Sequence, residues 1–397
     1  AADRLADIKA RIDQVPDYLD ALFARLDRPV ARWIKMDCDK VEGLPQLFET
    51  IASWANEEGW PEAPALRNAI TSAQTALESY SSKLGALPGH DDIHVGPETT
   101  RRIVELRGIA ASPEDLRQTA ADFLAEVSTT LDELRERLVT KYELAADTSV
   151  ADVHAELNRR FAVEADALED ILTHYQRERD RVTDFCRSRN LFPILEDQDL
   201  KILRTPSFMA PSIPAGAMMP PAPFRKGTKI SLVYLTLAEE LRDEHTALGI
   251  PSMIIHEGIP GHHLQLATAA THPSLIRRHI EANDQAEGWT TMLEDYMLDV
   301  GVMGELTDEA RFVGKRDIAR LGARVAIDLF FLSGDKKFLD VGIDCDLSSD
   351  DPFVAAGNLL KKVTGFTDGR VQAELNWYSQ ERGYPLSYLA GNRAVWD

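Results

Sequence analysis

Apolar residues recur at helical spacing through most of the first half of the chain. Between residues 2 and 26, Leu5, Ile8 and Ile12, then Leu19, Leu22 and Leu26, mark one face of an amphipathic helix that Pro16 interrupts. The same period predicts helices over 43–57, 63–84, 98–106, 112–142 and 150–188. Ser112-Pro113-Glu114-Asp115 is a helix start, with serine as cap and proline in the first turn. The charged runs at 133–138 and 177–181 read as solvated helix faces and receive no chemistry. From 191 to 224 the pattern gives way to Pro, Met and small residues, and proline density excludes a helix there. Such a segment is either an exposed linker or a substrate-side loop, and its Met and Phe content favours the loop. Alternation over Lys229-Ile230-Ser231-Leu232-Val233-Tyr234-Leu235 predicts a strand. Helical periodicity then resumes over 237–248, 252–271, 273–300, 308–332, 352–364 and 368–382, with a short helix from Pro385. The expected fold is mainly α, with one small β element.

A chain of 397 residues with 44% hydrophobic content can bury a large core, as one large domain or two intimately joined ones. Its 44 basic and 65 acidic residues give a net charge of −21, which repels phosphate backbones and argues against nucleic acid as a partner. Cys38, Cys186 and Cys345 are few and widely spaced, so neither a disulfide framework nor a cysteine zinc site is expected. A reducing compartment fits, and the location expected is cytoplasmic. A start at Ala1 without an initiator methionine is also what removal of an N-terminal leader leaves, and the stop at Trp396-Asp397 points to a further extension. No apolar run is long enough to span a membrane. Nothing in the pattern fixes an oligomeric state.

Chemistry concentrates in His256-Glu257-Gly258-Ile259-Pro260-Gly261-His262-His263-Leu264-Gln265, directly after the apolar Met253-Ile254-Ile255. Burying three imidazoles and a carboxylate is costly unless the polar groups share a metal. Zinc proteases set two histidines on adjacent turns of a helix, with a glutamate beside the first. Here the fourth position is Pro260, whose ring would clash with the carbonyl of His256, so a bend is forced. Looping out Pro260 and Gly261 brings His262 to the place of the second ligand and leaves His263 spare. In an unbroken helix, by contrast, His263 would sit roughly 10 Å along from His256, too far for one ion. An ordinary helix end with incidental histidines is the competing explanation. A catalytic zinc needs a third protein ligand. Glu287 is the best candidate, after a break at Thr271-His272-Pro273-Ser274 that folds the next helix back; Glu294 and Asp295 compete for the role, and a plain solvated face explains all three acids equally well. His272 and His279 lack a suitable spacing, and Gln265 and Asn283 could orient ligand imidazoles.

HEGIPGHHLQ, the EGW at Glu287-Gly288-Trp289, Arg324 and Asp328 in RVAID, and Pro385-Leu386-Ser387-Tyr388 together resemble the bacterial "domain of unknown function 885" family. That family is grouped with zinc metallopeptidases whose third ligand is a glutamate. The resemblance begins near Gly96, where VGPETTRRIVELRGIAASPEDLR is similar to the family's substrate-side helices, and is strongest from Glu240 onward. It implies a mostly helical, gluzincin-like hydrolase with His256, His262 and Glu287 on the metal and Glu257 as base. Organisation on this reading is a helical wall over 1–190, a loop and edge strand over 191–235, and a metal-site region over 236–397. Where the family pattern has a histidine four residues after the aspartate of RVAID, this chain has Leu332, and Gly383-Tyr384-Pro385 replaces the family's PGQ.

The mechanism this implies uses zinc, or another divalent transition metal such as iron or manganese, to activate water. Glu257 takes the proton of that water and passes it to the leaving amine. Tyr388 is the first choice of donor to the tetrahedral oxyanion, with Tyr384 and Arg382 on the substrate side. Arg324 and Asp328, four apart, are expected to pair within their helix, and Trp289 to pack in the core. The expected function is a zinc metallopeptidase acting on short peptides or peptide-like amides. Two alternatives stand beside it: a metal-dependent hydrolase or lyase of a non-peptide small molecule, and a non-catalytic helical binding protein with a relic site.

Overall fold

The computed structural model describes the chain except for residues 207–208, 211–212, 214–215, 240–241, 243–244, 281 and 397. It divides into two compact units, one of Ala1–Ile93 with Thr205–Pro214 and one of His94–Arg204 with Ala215–Asp397.

In the first unit, helix α1 (Ala2–Ile12) ends before Pro16, and α2 (Val15–Phe23) carries that proline in its first turn, where no N–H is needed. Helix α3 (Ala31–Glu57) begins well before the expected residue 43 and holds Gly43 and Pro45 in its interior. Burial of Ile34, Phe48 and Ala52 in one cluster with Leu66, Ile70 and Leu77 of α4 (Ala63–Gly85) outweighs the two helix breakers.

The second unit is mainly helical with one small sheet, as the pattern predicts. Helix α5 (Pro97–Leu106) precedes α6 (Pro113–Lys141), whose start is a full capping box between Ser112 and Asp115. The single helix expected over 150–188 is two, α7 (Val150–Arg160) and α8 (Leu168–Ser188). The chain breaks because Ala162 forms a β-bridge with Thr246, and Val163 N–H and the Phe161 carbonyl bond to His245 and Ala247. That tertiary pairing has no local sequence signal.

The Pro- and Met-rich segment is only partly a loop. Its ends form β1 (Gln198–Arg204) and β2 (Gly216–Met219), which flank β3 (Lys229–Leu235), at the residues predicted for a strand. β1 runs parallel to β3 and β2 antiparallel to it. Along β3, Ser231, Val233 and Leu235 turn to the buried side. The helix expected over 237–248 falls partly outside the described residues; Leu237 and Ala238 are irregular.

Then follow α9 (Gly249–Glu257), α10 (His262–Ala269), α11 (Leu275–His279), α12 (Asn283–Asp299), α13 (Thr307–Ile318), α14 (Arg320–Ser333), α15 (Pro352–Thr364), α16 (Asp368–Gln380) and α17 (Ser387–Trp396). α14 is the central helix, buried on every side from Leu321 to Leu332. α12 lies against α9 on one side and α17 on the other, and α10 against β3. The α12–α17 crossing is close enough that a Cβ on Gly391 would lie 1.8 Å from the Asp284 carbonyl oxygen. No described helix is long and apolar enough to cross a membrane.

Candidate metal centre

The apolar Ile254 and Ile255 bury α9, and its last residues are His256 and Glu257. The chain then turns through Gly258, Ile259, Pro260 and Gly261, with a cis Ile259–Pro260 peptide, and restarts as α10 at His262. Glycine is required at 261: a Cβ there would lie 2.0 Å from the carbonyl oxygen of His256 and 2.2 Å from that of Ile255. The kink that Pro260 forces is therefore present, and it closes the gap between the two histidines. Trp289 of α12 holds it from outside, its indole N–H donating to the Pro260 carbonyl at 3.0 Å. Trp289 is half-buried, and this bond ties α12 to the turn between α9 and α10, a role beyond the core packing expected of it.

The rings of His256 and His262 meet edge to face, 4.9 Å between centroids. Glu287, buried on α12, places Oε2 at 3.6 Å from His256 Nε2 and 3.4 Å from His262 Nε2. One ligand atom from each of the three residues lies within 4.8 Å of the others. The spacings to Oε2 are long for hydrogen bonds and close to the roughly 3.3 Å that separates donors each about 2.0–2.1 Å from a tetrahedral ion. Glu287 Oε2, the oxygen turned to both imidazoles, is buried without a hydrogen-bond partner, a state that costs free energy unless something else satisfies it. Two imidazoles and a carboxylate that converge on one point fit a divalent transition metal.

Neighbouring groups fix these three side chains. Glu294, one and two turns further along α12 than Thr290 and Glu287, accepts from His256 Nδ1 at 2.8 Å, and Ser252 donates to its other oxygen at 3.3 Å. Burial pulls the His256 pKa down, but the Glu287 and Glu294 carboxylates outweigh it and push it up to about 10. Burial likewise raises the Glu287 pKa, and the two histidines more than reverse this, leaving it well below the usual carboxylate range. The site thus favours positive charge beside these ligands. Tyr384 donates to Glu287 Oε1 at 2.6 Å, which leaves Oε2 pointing at the histidines. Burial raises the Tyr384 pKa, so the phenol stays a donor.

His263 takes no part in the cluster. Its Nδ1 bonds Ser231 Oγ of β3 at 2.7 Å and its Nε2 the Gln198 amide oxygen of β1. Since that oxygen only accepts, Nε2 carries the proton and Nδ1 accepts from the serine. Burial lowers its pKa to about 4, so the ring is neutral and pins α10 to the sheet.

Glu257 is half-buried beside His256 and accepts no hydrogen bond from any described residue. Asp295 pairs instead with Arg311 and Lys315, at 3.3 and 2.7 Å. Gln265 Oε1 is buried without a partner, and Ser274 N–H donates to His272 Nδ1. Tyr388 stacks edge to face on Tyr384, with 5.7 Å between centroids, and carries the Arg324 guanidinium 4.4 Å above its ring. Arg382 lies near the buried Asp328, which its charge reaches.

The intrahelical pair expected between Arg324 and Asp328 does not form. Arg324 donates to Tyr378 Oη at 2.9 Å and Glu374 Oε2 at 3.0 Å on α16, whereas Asp328 accepts the backbone N–H groups of Gly383 and Leu386 at 3.1 and 3.2 Å. Buried deep in α14, each finds a partner that satisfies it better than a neighbour on its own helix. Together they fasten the segment that presents Tyr384 and Tyr388. Leu332 is fully buried, and its carbonyl accepts from Val95 and Gly96.

Sequence reasoning found the three converging residues but missed the orienting roles of Glu294 and Tyr384. Glu287, Thr290 and Glu294 recur at helical spacing on one face of α12, and that polar stripe was the available signal for Glu294. For Tyr384, 97 positions from Glu287, no local signal exists.

Two solved structures share the fold. One, described as a "putative lipoprotein" from Colwellia psychrerythraea, matches with a TM-score of 0.79 and 18% identity over 100% of this chain and 69% of that one. The other, a "putative lipoprotein of unknown function" from Shewanella oneidensis, gives 0.71 and 17% over 100% and 71%. A search of curated proteins returns no match. The family model for "Bacterial protein of unknown function (DUF885)" matches residues 1–397, so the chain belongs to the DUF885 family.

Proposed function

We propose that this chain is a metal-dependent hydrolase, of zinc or another divalent transition metal, that cleaves short peptides or peptide-like amides. The observation that carries the reading is the convergence of His256, His262 and Glu287 within 4.8 Å, with the unpaired carboxylate of Glu257 on the same helix end. A divalent ion bound there supplies Lewis acidity towards an acyl oxygen and lowers the pKa of water in the site. Glu257, beside His256 but turned to another side of α9, takes the proton of the attacking water and delivers it to the leaving amine. Glu294 keeps His256 presenting Nε2 to the centre, and Tyr384 keeps Glu287 presenting Oε2. Tyr388, next to Tyr384 and under the Arg324 guanidinium, is the donor assigned to the developing oxyanion, and Arg382 is assigned to the substrate side. The lipoprotein descriptions of the two solved neighbours support a setting at the cell envelope.

Metal analysis and a peptide-library assay test this together. Purified protein should hold one equivalent of a transition metal that His256→Ala and His262→Ala lose. Glu257→Gln should retain the metal and lose about 10²–10⁴-fold in cleavage rate. A protein without metal, or a Glu257→Gln variant as active as the parent, rejects the reading. Metal retention with turnover of non-peptide esters or amides alone would move the substrate class and leave the site assignment standing.

A further inference from the structure

The connection between α10 and α12, which carry His262 and Glu287, has a feature that the proposed hydrolysis does not use. Large apolar side chains stand exposed there: Leu275 (65%), Ile276 (67%) and Ile280 (66%), on α11 and its end. Phe224 (56%) joins them from the turn before β3, its ring 5.7 Å from that of His279. Such a cluster is costly to leave in water and marks a contact surface.

Its charge is opposite to that of the rest of the chain. Residues 200–238 and 258–280 contain no Asp or Glu, although an even spread of the 65 acids over 397 residues would place about ten in them. The same stretches bring Arg225, Lys226, Arg277 and Arg278 beside the exposed apolar groups, with Arg225, Lys226 and Arg277 on the surface. In a chain of net charge −21 this connection thus has a basic, apolar tip, with Glu281 the next residue in sequence.

We propose that this tip docks on an anionic lipid surface, with Phe224, Leu275, Ile276 and Ile280 entering the interface and the arginines and lysine meeting lipid phosphates. Two arguments favour lipid over a protein partner. Leu275 and Ile276 are successive residues, about 100° apart around a helix of five residues, so the apolar groups spread over a wide arc. A fluid bilayer interface needs no counter-surface fitted to the side chains that enter it, whereas a protein partner needs one matched to that arc. Charge then sets the orientation. Anionic headgroups attract the basic tip and repel the acidic remainder within a Debye length of about 8 Å at physiological salt, so the molecule settles tip first.

Co-sedimentation of the whole protein with vesicles of phosphatidylcholine, with and without phosphatidylglycerol, tests the proposal. The protein should pellet with the phosphatidylglycerol vesicles alone and be released as salt rises. Ile276→Asp with Ile280→Asp should lower the bound fraction about tenfold with an unchanged circular dichroism spectrum. Arg225→Gln with Lys226→Gln and Arg277→Gln should weaken binding and flatten its salt dependence. These substitutions lie at the exposed surface, so folding is retained. His256→Ala should bind vesicles like the parent, which separates this proposal from the metal reading. Failure to pellet with phosphatidylglycerol vesicles at low salt, or equal binding by the aspartate variant, overturns it.

Discussion

At the scale of single residues, the candidate metal centre depends on groups that hold His256, His262 and Glu287 in place. Glu294 reaches His256 Nδ1 at 2.8 Å, so the ring can offer only Nε2 to the cluster. Truncation to Ala frees the ring without touching a ligand atom, and orienting partners of this kind contribute about 10–100-fold in metal affinity. Glu294→Ala is therefore expected to lower zinc affinity by that factor, read by competition with a chromogenic chelator, while the helical dichroism stays intact. An unchanged affinity would show that packing alone fixes the ring. Gly261 is a harder constraint, because a methyl group at that position would lie 2.0 Å from the His256 carbonyl oxygen. Gly261→Ala must open the kink, with an expected cost of about 1–3 kcal/mol in chemical denaturation and a parallel loss of bound metal. His256, His262 and the kink were legible because they lie within seven consecutive residues whose geometry one proline dictates. Of their partners, Glu294 left only a polar stripe on α12 as a signal and Tyr384 left none, since the fold, and not sequence proximity, brings them to His256 and Glu287.

At the scale of elements, the sequence told helix from strand well wherever one amphipathic face faces one core. It failed where a distant segment intervenes: the bridge from Ala162 to Thr246 splits a periodic run into α7 and α8, and packing carries α3 through Gly43 and Pro45. The α12–α17 crossing was equally hidden, because Gly288 and Gly391 acquire meaning only when they face each other. A Cβ on Gly391 would fall 1.8 Å from the Asp284 carbonyl oxygen, and one on Gly288 would fall 2.3 Å from the Gly391 backbone. Gly391→Ala should push α17 off α12, cost about 1–3 kcal/mol, and weaken metal binding because α12 carries Glu287. Gly314, inside α13, is the internal control: nothing lies within 4 Å of a Cβ built there. Gly314→Ala should stabilise the protein by about 0.5–1 kcal/mol through helix propensity alone. Equal shifts in Tm for the two variants would show that the crossing is not tight in solution.

For the molecule as a whole, composition reports charge correctly but not how charge is distributed in depth. The formal −21 is set mainly by solvated carboxylates, yet the pH response also depends on buried ones such as Glu374 on α16 and Asp328 on α14. Burial raises the Glu374 pKa, but Arg324 and Arg370 more than reverse this and hold it at about 2. Its stabilising effect is present above an unfolded value near 4.5 and is lost as pH falls towards 2. Asp328 has the opposite sign. Burial lifts it to about 7 against the pull of the Gly383 and Leu386 N–H groups. Its contribution is complete below about 3.8 and declines as pH rises through 7, by up to about 4 kcal/mol. Asparagine at this position cannot ionise, but its single acceptor oxygen leaves one of the two buried N–H donors unpaired, at a cost of about 1–3 kcal/mol. Asp328→Asn should therefore be the less stable protein at pH 4, and the gap should narrow or invert by pH 8 as the wild type comes to bear a buried charge. Denaturant midpoints of both proteins measured across this range decide the matter. A gap that stays constant from pH 4 to 8 would mean that Asp328 is ionised throughout, with its two N–H partners outweighing burial, and that the segment bearing Tyr384 and Tyr388 is fastened by a permanent anion.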